Sequence, residues 1–145
     1  MTFTLPAYDQ IPNVGLYLEQ VTKYLNEYLE PLGCAPLTSS MISNYVKKGL
    51  VRNPIKKQYY REHIARLLEI AVCKTVLSLE AIEQLLSAHP DGPQGYDGFC
   101  SAFLALLESV IAHRTVTALG NSLLEDTLVV VACKLYLDKQ FQYIH

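Results

Sequence analysis

Between Glu30 and Glu62 the chain has no aspartate or glutamate, yet it carries Lys47, Lys48, Arg52, Lys56, Lys57 and Arg61, half of its lysines and arginines. Cations without counter-charges create a local positive field suited to a polyanion such as a phosphate backbone. Taken alone, such a run is more often a solvated surface loop. The segment in front of it changes that weighting. Ser40, Ser43, Asn44 and Lys47 recur at i, i+3, i+4 and i+7, which places them on one face of a helix. These are side chains that can reach base edges. An Asn amide can form two hydrogen bonds with adenine, Lys can reach guanine or a phosphate, and Ser can donate to either. Lys48, Arg52, Lys56, Lys57 and Arg61 suit phosphate contacts, and Tyr59 or Tyr60 can add a hydroxyl or pack the basic segment against the rest. The net charge of −2 argues against a protein that coats nucleic acid indiscriminately.

Other chemistries find less support. His63, His89, His113 and His145 show no metal-ligand spacing, and there is no glycine-rich phosphate loop or nucleophile elbow. Cys34, Cys73, Cys100 and Cys133 lie far apart without a CxxC pair, as expected of reduced and mostly buried thiols. Glu80 with Glu83, and Glu125 with Asp126, sit where the positive end of a helix would favour them. We therefore expect neither an enzyme, nor a cofactor, nor a bound metal.

The elements that must hold these residues follow from periodicity. After an extended lead-in with Pro6 and Pro12, Asn13 can cap a helix. Val14, Tyr17, Leu18, Val21, Tyr24, Leu25, Tyr28 and Leu29 give it one apolar stripe to about Glu30, where Pro31 and Gly33 stop it. Thr38 or Ser39 can cap a short second helix ending near Lys48, with Gly49 as a left-handed cap. Its inward side is Met41, Ile42, Tyr45 and Val46. From Leu50 to Tyr60, Asn53-Pro54 and Lys56-Lys57 interrupt β-compatible pieces at Leu50-Val51 and Gln58–Tyr60, the pattern of a small basic wing. Residues 37–63 thus read as a helix-turn-helix with a wing. A third helix should begin near Arg61, with His63 packed at its start, and Ser78 should cap a fourth.

Residues 89–98 concentrate turn formers and mark the best internal boundary. The expected organisation is 1–88 as an N-terminal helix plus helix-turn-helix, 89–98 as linker and 99–145 as a helical C-terminal region. Helices are expected over 99–111 and 123–143, separated near Gly120-Asn121. Both are apolar around much of their circumference, so they need cover from the rest of the chain or from a second copy. No apolar run approaches the roughly 18 residues of a membrane span, and a signal peptide is not evident, so a cytoplasmic location is expected.

The segment Leu37–Leu86 resembles the DNA-binding head of MerR-type regulators. It shares the order of parts: a capped helix with Tyr45, then Gly49-Leu50, a wing, Tyr60-Arg61 leading into a helix with Arg66-Leu67, and a capping Ser78 before Glu80. The long amphipathic helix ahead of residue 37 departs from that pattern. Most of residues 5–87 is similar to the YkrK-like family of small bacterial proteins, known as domain of unknown function 1836. That likeness lies in Leu16-Tyr17, Gln20-Val21, Thr38, Met41–Lys47, Lys56-Lys57, Tyr59, Arg61–His63 and Leu77-Ser78. The resemblance implies a MerR-like winged helix-turn-helix; with the C-terminal helical pair read from periodicity, the expected fold is mainly α. The expected function is regulation of transcription by a homodimer on double-stranded DNA, with the operator and any small-molecule effector unspecified. The alternative is a protein-interaction module on the same frame, since one fold hosts many functions.

Overall fold

The computed structural model describes residues 3–114 and 122–144. It is mainly helical: α1 Leu18–Leu32, α2 Ser39–Lys47, α3 Arg61–Cys73, α4 Leu79–Ser87, α5 Pro93–Ile111 and α6 Leu123–Ile144. A single 3-10 turn at Tyr8–Gln10 precedes them, and two short strands, β1 Leu16–Tyr17 and β2 Gln58–Tyr59, pair antiparallel. Among the described residues no helix is long and apolar enough to cross a membrane.

The first helix starts later than its apolar stripe suggests. Leu16 and Tyr17 are drawn into extended pairing with Tyr59 and Gln58, so Asn13 caps nothing and Val14 and Tyr17 are exposed at 65% and 56%. The start of α1 is satisfied instead by Gln20, whose Oε1 accepts the Tyr17 N–H at 2.8 Å. Val21, Leu25, Leu29 and Leu32 form the buried stripe. Pro31 lies within the last turn rather than ending the helix; Gly33, at φ 88°, ends it with its N–H on the Glu30 carbonyl.

Helix α2 is capped by Thr38, whose Oγ1 accepts from the Met41 N–H at 3.1 Å. Beyond it Gly49 takes φ 79°, a conformation open to Gly at little cost. The strand partner of β2 is β1, not Leu50-Val51. Ile55 and Gln58 exchange two backbone hydrogen bonds of 2.9 Å, enclosing Lys56 at φ 51° and Lys57 at φ 67°. Positive φ at both central residues defines a type I′ turn, which normally carries Asn-Gly.

Helices α3 and α4 begin where expected, and the Ser78 hydroxyl accepts from the Ala81 N–H at 3.2 Å. The turn formers at 89–98 interrupt helix only as far as Gly92. Pro93 occupies the first turn of α5, where its missing N–H has no helical partner to lose, so the helix starts ahead of Phe99. Gly95 is required by contact, since a Cβ there would lie 2.0 Å from the Pro90 carbonyl oxygen. Tyr96, 2% exposed, donates its hydroxyl to the Pro6 carbonyl at 2.8 Å and ties the lead-in to α5.

One apolar cluster runs from Ile11 through Val21, Ile42, Leu67, Phe103 and Leu135. Helices α5 and α6 pack on each other and on α3. Leu128, Val131, Ala132 and Leu135 of α6 are buried, while Leu123, Val130, Leu137 and Phe141 remain exposed. The expected break near Gly120-Asn121 lies outside the described residues.

Candidate nucleic-acid interface

The outward face of α2 carries Ser40, Ser43, Asn44 and Lys47, all exposed, while Ile42 and Tyr45 are buried on the other side. Tyr45 is core at 1% exposure, and its hydroxyl has no hydrogen-bond partner among the described residues. With Leu18 and Ser39, the four outward residues line a shallow depression of about 380 Å³.

Two contacts tie the start of α2 to α1. The Asn26 side chain on α1 donates to the Leu37 carbonyl and accepts from the Leu37 N–H, both at 2.8 Å. The hydroxyls of Thr22 and Ser39 meet at 3.3 Å. Leu18 at the edge of the depression directly follows Tyr17, the residue paired with Gln58. The β1–α1 junction therefore joins the base of the lysine turn to the rim of the polar face.

The basic residues fall into two groups. Lys47, Lys48, Lys56 and Lys57 are exposed, and among the described residues no carboxylate pairs with them. Arg52 and Arg61 are engaged. Arg52 lies 3.5 Å from Glu62 and 3.9 Å from Asp91. Arg61 donates to the carbonyls of Ile11 and Asp9 at 2.8 and 3.2 Å and lies over the Tyr8 ring. It fastens the lead-in instead of projecting to solvent. Tyr59 takes the packing role of its two expected ones: it is 4% exposed and stands edge-on to His63.

His63 does pack at a helix start. Its Nδ1 accepts the Tyr60 N–H at 2.9 Å, which leaves the ring proton on Nε2 to reach the Asn53 carbonyl at 3.0 Å. One imidazole thereby fixes both the first turn of α3 and the chain that leads into the lysine turn.

A second polar group, centred on α3, is largely buried and was not legible in the sequence. Glu69, 3% exposed, faces Arg66 at 3.3 Å and His89 Nε2 at 3.2 Å. Arg66 also contacts Asp91, and His89 Nε2 lies 3.0 Å from the Gly95 carbonyl. The hydrogen bond to Glu69 holds the His89 pKa above its ordinary 6.5; desolvation opposes this, the Glu69 charge and the Gly95 carbonyl add to it, and Arg66 lowers it. A raised folded-state pKa stabilises fully below the unfolded value near 6.5 and is lost as pH rises through the folded value. Thermal unfolding across this range should show the wild-type midpoint falling relative to that of His89→Gln. Parallel profiles would remove His89 as the titrating group.

The cysteines are free thiols. Cys34, Cys73 and Cys100 are buried and Cys133 is exposed. Burial pushes the Cys34 thiol up to about 11 and Cys73 and Cys100 up to about 12, far from the thiolate a nucleophile needs.

The geometry defines a class: a helical protein in which a short capped helix presents a polar face beside an exposed, unpaired lysine turn. Comparison with known families places it further. Residues 6–94, more than half of the chain, match the family described as Domain of unknown function (DUF1836), and the chain belongs to that family. No curated protein and no solved structure matches it.

Proposed function

We propose that this protein is a DNA-binding transcriptional regulator whose α2 enters the major groove, with Lys56-Lys57 as a wing on the phosphates. The observation that carries this reading is the α2 face itself. Ser40, Ser43, Asn44 and Lys47 stand exposed on one side, and Lys47, Lys48, Lys56 and Lys57 are free of carboxylates among the described residues. Short polar side chains read base edges while flanking cations set affinity and register. On this view α2 is the recognition helix of the helix-turn-helix expected over 37–63, the lysine turn is the wing of a MerR-like head, and Arg52, Tyr59 and Arg61 support it rather than touch DNA.

A second copy is the natural cover for the exposed α6 stripe, in which Leu123, Val130 and Leu137 recur every seven residues. A homodimer would set two α2 helices about 34 Å apart and favour a near-palindromic site. The same stripe favours the second reading, a module that binds another protein through α6 and does not read DNA.

A pooled-duplex selection with the purified protein, followed by titration at two salt concentrations, separates them. A regulator enriches a short palindrome and loses affinity steeply with salt through counterion release. Asn44→Ala should then relax preference at one base pair by about 1–3 kcal/mol. Failure to bind any duplex at low salt would leave the protein-interaction module standing.

A further inference from the structure

Between α3, α4, the turn at Gly49–Arg52 and the loop entering α5 lies a cleft of about 480 Å³, within the roughly 300–1,000 Å³ of small-molecule sites. On its wall two guanidinium groups converge on one carboxylate. Asp91 contacts Arg66 through one oxygen and lies 3.9 Å from Arg52 through the other.

The partners are held very differently. The Arg66 side chain is 14% exposed, faces Glu69 at 3.3 Å and donates to the Leu86 carbonyl at 3.4 Å. The Asp91 side chain is 69% exposed and is presented by a loop. A fixed, largely buried cation met on its outer side by a solvated carboxylate is a carboxylate-binding position occupied by the chain's own residue. Guanidinium groups recognise carboxylates through paired, charge-assisted hydrogen bonds, and displacing a solvent-exposed partner costs little.

We propose that the cleft binds a small monocarboxylate, whose carboxylate replaces that of Asp91 on Arg66 and Arg52. Leu50, Val51, Leu86 and Tyr96 supply apolar wall for its remainder. Glu69 already pairs with Arg66 and Glu62 with Arg52, and Glu83 also lines the space, so the site matches no more than the single charge that Asp91 gives up, and phosphates and tricarboxylates are selected against. The site joins the exit of α2 to the entry of α5, so occupancy bears on both ends of the fold.

The test needs no DNA and is independent of the regulatory reading. Butyrate is titrated into the intact protein while the guanidinium Nε–H signals of Arg52 and Arg66 are followed by NMR, with phosphate and chloride as comparison anions. Butyrate should shift these signals saturably, and phosphate should not. Asp91→Asn removes the internal competitor and should tighten apparent affinity roughly three- to tenfold. Arg52→Ala, at a side chain 72% exposed, leaves the core intact and should weaken it. No saturable shift in wild type or Asp91→Asn, equal affinity in the two, or an equal response to phosphate would each overturn the proposal.

Discussion

Exchanging Lys56-Lys57 for Asn-Gly is expected to raise the thermal unfolding midpoint and to lower DNA affinity in the same protein. Both lysines hold positive φ, which costs an L-residue roughly 1–2 kcal/mol, whereas Asn-Gly is the preferred pair for this turn. Relief of about 1–2 kcal/mol in total should raise the midpoint by roughly 2–8 °C. If Lys56 and Lys57 contact phosphates as proposed, their loss should weaken binding to every duplex and reduce the salt slope by about 2. Residues that a turn disfavours persist where something else requires them, and strained backbone of this kind clusters at functional sites. Lys56→Ala with Lys57→Ala separates the two effects, since it removes the charges and keeps the positive φ. A midpoint that rises with DNA affinity unchanged would leave the lysines no role beyond closing the turn.

The largest loss of stability is expected from Glu69→Ala. This carboxylate is 3% exposed and neutralises Arg66 while accepting from His89. Removing it leaves a largely buried guanidinium facing an empty position. Breaking a buried pair from one side typically costs about 3–5 kcal/mol; the remaining contact of Arg66 with Asp91 places the expected value near the lower end. Glu69→Gln keeps the shape and an acceptor and should recover part of the loss. Urea unfolding of the three proteins measures it, and a cost below about 1 kcal/mol, that of an exposed pair, would mean the network carries no fold stability.

Local signals predicted what local physics decides. Thr38 and Ser78 cap their helices because a hydroxyl ahead of an apolar run satisfies an orphan N–H whatever surrounds it. The division of α2 into Ile42 and Tyr45 inside, and Ser40, Ser43, Asn44 and Lys47 outside, follows from helical spacing alone. What was not legible lies where distant segments meet. Asn13 looked like a cap because nothing nearby shows that Leu16 and Tyr17 pair with Tyr59 and Gln58. Pro93 looked like a breaker, but it stands in the first turn of a helix held by Tyr96 on Pro6. Arg61 and Arg52 resembled their lysine neighbours in composition; their partners, Ile11, Asp9 and Asp91, come from elsewhere in the chain. The clamp from Asn26 to Leu37 and the Arg66, Glu69 and His89 network were unreadable for the same reason.

The pairing of β1 with β2 also bears on how the lysine turn can be obtained. Its short ladder joins Leu16 to Tyr59 across α1 and α2, so closing it costs the entropy of a long loop that only helix packing can offset. During folding, the turn should therefore lock late, after α1 and α3 have met. A peptide cut to 37–63 has the lysines and β2 without β1 to pair with and should remain unstructured. A graft that carries this tip into another scaffold must bring β1, Leu16–Tyr17, with it.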